Sequence, residues 1–81
     1  SSGELNFTVD DASTCIERVH NHFVSKATSI NQLDGLSMTF DGWRFNLRKS
    51  NTEPLVRLNI ETRGNHVVLK EKINELKNLI R

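Results

Sequence analysis

A polar segment in the second half of the chain carries the side chains best suited to bind an anion. It reads Arg48-Lys49-Ser50-Asn51-Thr52-Glu53-Pro54, and an arginine, Arg57, follows three residues later. A bound phosphate needs donors that converge from several directions, and an arginine fork supplies two of them at once. Side-chain hydroxyls, an amide and the backbone N–H groups of a tight turn could supply the others. The candidate phosphate-binding residues are therefore Arg48, Ser50, Asn51, Thr52 and Arg57.

The same composition also fits a loop that only reverses the chain, because Ser, Asn, Thr and Pro are common turn formers. The segment lacks the Gly-rich frame and the following helix of a nucleotide-binding loop, so a Walker-type site is excluded. Glu53 is unfavourable beside an anion, and we expect its carboxylate to pair with a neighbouring cation or to cap the loop. Composition alone leaves phosphate binding and simple chain reversal both open.

Strands flank this loop. Apolar and polar residues alternate in four runs, which is typical of strands with one buried face; the runs are 5–9, 36–40, 43–47 and 56–60. Asp41-Gly42 joins the second and third runs and predicts a hairpin with a type I′ turn, in which both central residues have positive φ. The segment 27–34 could add a short edge strand.

Two apolar stripes at helical spacing predict two helices. The stripes are Ala12, Ile16, Val19 and Phe23 in the first helix, and Leu69, Ile73, Leu76 and Ile80 in the second. Asp10 and Asp11 precede the first helix as capping carboxylates, and that helix should run to about Lys26. Asn65 can cap the second helix in the same way.

The predicted order, β-α-(β)-β-β-β-α, indicates an α+β domain of two layers. We expect an antiparallel sheet of about four strands with both helices on its apolar face. The polar residues of the strands must then point away from the helices. This predicts a polar outer face, with a cationic cluster near the loop. The residues of this face are Arg44, Asn46, Arg48, Arg57 and Asn59.

Size and composition narrow the classes of function. The chain has 81 residues, 36% of them hydrophobic, and a formal net charge of +1, which suits one small domain with a single core. Near-neutral charge gives no overall attraction to nucleic acid or anionic lipid, so any anion binding must be local. No apolar run approaches the roughly 20 residues of a membrane span. The single cysteine, Cys15, suits a reducing compartment, so we expect a cytoplasmic location and no membrane partner.

No metal site is expected from the histidines. His20 and His22 are two residues apart on a predicted helix and lie about 200° around its axis from each other, so they cannot converge on one ion. His66, the third histidine, is distant in sequence.

The loop and its flanks resemble a specific family signature. Arg48-x-Ser50-Asn51-Thr52-Glu53-Pro54, with Val56-Arg57-Leu58 and Glu61 after it, is similar to the phosphate-binding signature in the C-terminal domain of α-D-phosphohexomutases. Asp41-Gly42-Trp43 and the opening Ser2-Gly3-Glu4-Leu5-Asn6 resemble the same family. Asn51 resembles the phosphomannomutase/phosphoglucomutase branch, because the phosphoglucosamine mutase branch more often has Gly there. The resemblance covers nearly the whole chain and implies the TATA-binding-protein-like fold of that domain.

The resemblance also implies that residues 1–81 are the last domain of a four-domain enzyme, excised from it. Such enzymes interconvert hexose 1-phosphate and hexose 6-phosphate, with mannose or glucose as the sugar. The phosphoserine, the Mg²⁺ ion and the sugar-recognition loop belong to the other three domains. We therefore expect no catalytic residue, no metal ligand, no cofactor and no mutase activity in this domain alone. Its expected role is to hold the phosphate that is not reacting.

By the same resemblance, Arg48 would contact the phosphate through both arms of its guanidinium, and the loop would surround the other oxygens. The second arginine has two candidate positions. Some relatives carry it two residues further along the strand, where this chain has Asn59. Residues two apart on a strand share a face, so Arg57 could serve from a shifted position, and the choice between the two stays open.

A nucleic-acid or protein interaction module is the alternative from another class. A sheet of four strands backed by two helices is also the layout of RNA-binding domains, which stack bases on exposed aromatic side chains. Here Phe7, Phe40, Trp43 and Phe45 fall on the alternation that faces the helices. The outer face would then lack a stacking platform, and we expect no nucleic-acid partner.

Overall fold

A computed structural model describes all of residues 1–81, which form five strands and two α-helices. In chain order the elements are β1 (Glu4–Thr8), α1 (Ala12–Phe23), β2 (Ser29–Asn31), β3 (Leu36–Phe40), β4 (Trp43–Lys49), β5 (Leu55–Thr62) and α2 (His66–Ile80). The strands form one antiparallel sheet in the order β1-β5-β4-β3-β2. The predicted α+β class is confirmed. The sheet has five strands because the 27–34 segment adds β2, three exposed residues at one edge.

The core lies between the sheet and the two helices. Buried residues alternate with exposed or half-buried ones along the three central strands: the buried ones are Leu36, Met38, Phe40, Phe45, Leu47, Val56, Leu58 and Ile60. The helices bury Cys15, Val19, Phe23, Leu76 and Ile80 in the same cluster. Burial with period 2 in the strands and near 3.6 in the helices puts one face of each element into a shared core. The remaining strand residues are left on the outer face of the sheet.

Both helices begin at the predicted caps. The backbone N–H of Thr14 donates to Oδ1 of Asp11 at 3.1 Å, and Asn65 Oδ1 accepts from the first backbone N–H groups of α2. α1 ends at Phe23, three residues before the predicted Lys26, and residues 24–26 form an exposed turn. No helix of the chain combines the length and the apolar character that crossing a bilayer requires.

The β3–β4 hairpin is confirmed, with Phe40 and Trp43 as its last cross-strand pair. The predicted turn type is wrong. Gly42 has φ +85°, whereas Asp41 does not have positive φ. A negative φ followed by a positive one is the pattern of a type II turn, in which only the second central residue must be glycine-like. Asp41 thereby avoids the steric cost that positive φ imposes on a residue with a Cβ.

Candidate functional site

The outer face of the sheet is polar, and its side chains lie in rows that cross the strands. The cross-strand partners on β4 and β5 are Arg48 with Arg57, Asn46 with Asn59, and Arg44 with Glu61. All six are exposed or half-buried, whereas their neighbours along each strand are mostly buried. The predicted outer face is therefore confirmed. It also brings two of the candidate phosphate-binding arginines directly opposite each other.

The loop between β4 and β5 is shaped by the hydroxyl of Ser50. The backbone N–H groups of Thr52 and Glu53 donate to Ser50 Oγ at 3.3 and 3.2 Å. The Ser50 backbone N–H donates to the carbonyl of Leu55 at 3.0 Å, which closes the base of the loop. Because Ser50 Oγ already accepts two hydrogen bonds, its O–H hydrogen is the part of this side chain that remains available to an anion.

The exit of the loop is fastened to the first strand. The backbone N–H of Val9, just beyond β1, donates to the carbonyl of Pro54 at 3.0 Å. Proline has a fixed φ and no N–H, so its carbonyl is the only backbone group of Pro54 that can form a hydrogen bond. The loop is therefore tied at both ends.

The loop and the arginine pair line an open cavity of about 350 Å³. Its lining is Arg48, Lys49, Ser50, Asn51, Thr52 and Arg57, without a hydrophobic side chain. The structure thus brings all five candidate residues together, with Lys49 as a sixth. Asn59 lines a neighbouring groove of about 250 Å³ that crosses the outer face of the sheet. Between the two positions left open by the sequence, the geometry favours Arg57 as the second cation of the cavity.

A carboxylate that the sequence patterns did not single out contacts both arginines. Glu4 of β1 lies with Oε1 at 3.5 Å from Nη2 of Arg48 and with Oε2 at 3.2 Å from Nη1 of Arg57. The predicted cationic cluster therefore includes an internal counter-anion for two of its arginines. Local sequence patterns do not reveal this contact, because Glu4 is far from both arginines in sequence. The pairing of β1 with β5 brings Glu4 to them.

The expected role of Glu53 is also wrong. Its side chain is exposed and forms no salt bridge, and only its backbone takes part in the loop. The backbone N–H is held by Ser50 Oγ and the carbonyl accepts from the backbone N–H of Leu55 at 2.8 Å. The turn is thus fixed by its backbone, without any contribution from this carboxylate.

His20 and His22 contact separate side chains and do not converge. His22 Nε2 lies 3.1 Å from Glu75 Oε2, and His20 Nδ1 lies 3.2 Å from the side-chain oxygen of Asn21. No three side chains among His, Cys, Asp and Glu are grouped so that they could hold a metal ion.

The aromatic side chains pack on the helix side of the sheet. Phe23, Phe40, Trp43 and Phe45 form a connected cluster, in which the rings of Phe40 and Trp43 stack with centroids 4.1 Å apart. Phe7, the remaining aromatic residue, is half-buried against the same core. The outer face therefore offers cations, amides and carboxylates, without an aromatic platform on which a base could stack.

Comparison with known proteins identifies the family. Residues 4–78 match the family described as phosphoglucomutase/phosphomannomutase, C-terminal domain. A protein from Xanthomonas campestris named "Phosphohexose mutases" is 50% identical over 80 residues, 99% of this chain and 18% of the relative. Phosphomannomutases from Vibrio cholerae and Methanocaldococcus jannaschii are 46% and 47% identical, over 99% and 98% of this chain and 17% of each relative.

These relatives are several times longer than the chain, which spans less than one fifth of their length. The match nevertheless runs through every strand and both helices, and it includes the loop with its two arginines. The chain belongs to the phosphoglucomutase/phosphomannomutase family, as its C-terminal domain.

Proposed function

We propose that this chain binds the phosphate group of a hexose phosphate substrate, at the cavity formed by the β4–β5 loop and the arginine pair. The observation that carries the proposal is the composition of that cavity, which is lined by three cationic side chains, two hydroxyls and one amide. A phosphate dianion presents several acceptor oxygens and two negative charges. Such a group matches a wholly polar cavity rich in donors better than an uncharged ligand does.

The arginines and the loop residues can donate to different oxygens of the phosphate. Each arginine can give two parallel N–H bonds to one edge of the phosphate, and Arg48 and Arg57 approach from adjacent strands. Asn51, Thr52 and the Ser50 hydroxyl, all on the loop, line the same cavity and can donate to the other oxygens. Lys49 adds a positive charge on a flexible side chain, without a fixed hydrogen-bond geometry. Because the cavity is open to water, we expect weak binding by this domain alone, on the order of 1 mM.

Within a longer enzyme, this site would hold the phosphate that is not being transferred. The enzyme would interconvert hexose 1-phosphate and hexose 6-phosphate, with mannose or glucose as the sugar. Holding the remote phosphate places the other end of the sugar at the reacting group, which is a positioning contribution to the rate. No residue of this chain is assigned a bond-making role.

The remaining parts of the reaction are proposals about the rest of such an enzyme. The three other domains would contribute the phosphorylated serine and the residues that recognise the sugar. No three side chains among His, Cys, Asp and Glu are grouped in this domain, and we propose that the other domains hold the Mg²⁺ of the reaction. We also propose a cytoplasmic location. It is supported by the free thiol of Cys15, which is buried and unpaired.

An NMR titration of the 81-residue chain tests the proposal. Mannose 1-phosphate and glucose 6-phosphate should both shift the amide signals of Ser50, Asn51 and Thr52 and the side-chain signals of the two arginines. The two sugars should bind within about threefold of each other, since the site contacts the phosphate they share. An RNA oligomer serves as the test of the alternative, an interaction module. Shifts across the sheet with RNA and none with either sugar phosphate would overturn the proposed function.

A further inference from the structure

Glu4 and the loop cavity share the same two arginines. Arg48 and Arg57 line the 350 Å³ cavity together with the loop, and they also line the neighbouring groove that contains Glu4. In the structure both guanidinium groups contact Glu4, each through one terminal nitrogen. The arginine pair is thus shared between an internal anion and the space in which the substrate phosphate would lie.

We propose that Glu4 is an internal counter-anion for the arginine pair, exchanged for the substrate phosphate when the site is filled. The inference rests on the proposed function and describes how the same site is regulated. Glu4 would then be a positioning residue that acts through Arg48 and Arg57. It would keep the two like charges together in the empty site and release them to the ligand.

The empty site needs such a group because two arginines directly opposite each other on antiparallel strands repel. Arg48 and Arg57 are such a pair. The two oxygens of Glu4 divide between them, so that one carboxylate compensates both cations. Glu4 is on β1, an edge strand, and its side chain is 45% exposed, which leaves it room to move away into water.

The exchange is favourable because the contacts of the arginines to Glu4 are weaker than those that a phosphate could form. They are single, not paired, and their lengths are 3.5 and 3.2 Å. Charge-assisted hydrogen bonds of good geometry are shorter, about 2.7–2.9 Å, and a phosphate can accept two from each guanidinium. A phosphate dianion also carries up to twice the charge of a carboxylate. Phosphate should therefore displace Glu4, and Glu4 should lower the apparent affinity for phosphate.

The test is the affinity of the chain for inorganic phosphate, measured by calorimetry and by NMR, in the wild type and in Glu4→Gln. The neutral variant should bind phosphate roughly three- to tenfold more tightly, the range expected when two exposed ion pairs no longer compete. The side-chain Nε–Hε signals of Arg48 and Arg57 should differ between the two proteins without phosphate. They should become similar at saturation.

Two variants serve as controls. Glu61→Gln removes a carboxylate from the same face of the sheet, 4.0 Å from Arg44 and outside the loop cavity, and should leave phosphate affinity within about twofold. Glu4→Asp keeps the charge on the same strand and should also stay within about twofold of the wild type. Equal tightening by Glu4→Asp and Glu4→Gln would overturn the inference, because the strand and not the charge would be responsible.

The failure of this inference is separable from that of the proposed function. If the wild type binds phosphate at the loop and Glu4→Gln binds it equally or more weakly, Glu4 is not a competitor and only the inference is overturned. If neither protein binds phosphate at the loop, both the inference and the proposed function are overturned. Reduced melting temperature in Glu4→Gln does not explain a gain in affinity, because damage to the fold would weaken binding.

Discussion

Gly35, at the entrance to β3, packs against the base of Arg48 on β4. A Cβ atom added to Gly35 would lie 2.6 Å from Cβ of Arg48 and 2.7 Å from the backbone carbonyl oxygen of Leu47. Gly35 also has φ +73°, a conformation that residues with a side chain rarely adopt. The backbone of the candidate phosphate-binding arginine thus packs closely against a residue that has no side chain.

Gly35→Ala should therefore disturb both the fold and the site. Positive φ costs an alanine about 1–2 kcal/mol, and the overlap with backbone atoms should add about 1–3 kcal/mol. Gly64→Ala is the matched control, since Gly64 has φ +67° and no atom within 4 Å of the added Cβ. Urea unfolding measures the difference. Equal losses in the two variants, with the Arg48 amide signal unmoved, would show that the close packing has no energetic consequence.

Arg57→Ala should weaken phosphate binding about tenfold, as expected for the loss of a charge-assisted hydrogen-bonding group at a partly exposed site. Asn59→Ala, two residues further along β5, should change the affinity by less than about twofold, because Asn59 does not line the loop cavity. Titration with mannose 1-phosphate compares the two variants. The reverse order of effects would assign the second contact to Asn59.

Ser50→Ala should loosen the β4–β5 loop. The variant leaves the backbone N–H groups of Thr52 and Glu53 without their acceptor, and hydrogen bonds of this kind contribute about 1 kcal/mol each. Amide hydrogen exchange at Thr52 and Glu53 should become faster, and binding of hexose phosphate should weaken several-fold. Ser50→Thr retains the hydroxyl and should restore slow exchange. Unchanged exchange in Ser50→Ala would mean that the loop is held by its ends alone.

A charged contact between the two helices should make stability depend on pH. Burial raises the pKa of Glu75, but hydrogen bonds from His22 and Lys72 and the charge of Lys72 outweigh burial and hold the pKa below its ordinary value of 4.5. A lowered folded pKa means that the carboxylate stabilises the fold above the unfolded pKa. This stabilisation is lost as the pH falls through the folded pKa.

Glu75→Gln should consequently lower the free energy of unfolding at pH 7, by less than about 1 kcal/mol for a partly exposed pair. The difference from the wild type should vanish at a pH well below 4.5, the ordinary pKa of this carboxyl. Glu71→Gln, an exposed change on the same helix without an ion pair, is the control. A difference between wild type and Glu75→Gln that is independent of pH would contradict the role assigned to the ionised carboxylate.

The faces of the sheet could be predicted from sequence because burial at every second residue is a local pattern. That pattern places Arg48 and Arg57 on one face, and the loop residues follow from the chain between them. The position of Glu4 could not be predicted in the same way. It depends on β1 returning to pair with β5, a contact between distant parts of the chain that no local pattern encodes.

Two local details also escaped the sequence reading. Asp-Gly is compatible with more than one two-residue turn, and the choice between them depends on the φ of Asp41, which residue type does not fix. The end of α1 at Phe23 depends on where contact with the core ceases. Residues 24–26 directly follow the helix, but all three are exposed, so no buried side chain stabilises a further helical turn.

The proposed function requires that the arginine pair and the β4–β5 loop bind a substrate phosphate. The most direct test is the dissociation constant of the chain for glucose 6-phosphate in the wild type, in Arg48→Ala and in Arg44→Ala. Arg44 is on the same strand and the same face but outside the loop cavity. We expect Arg48→Ala to weaken binding about tenfold and Arg44→Ala to change it by less than about twofold. Equal affinities in all three proteins would contradict phosphate binding at this site.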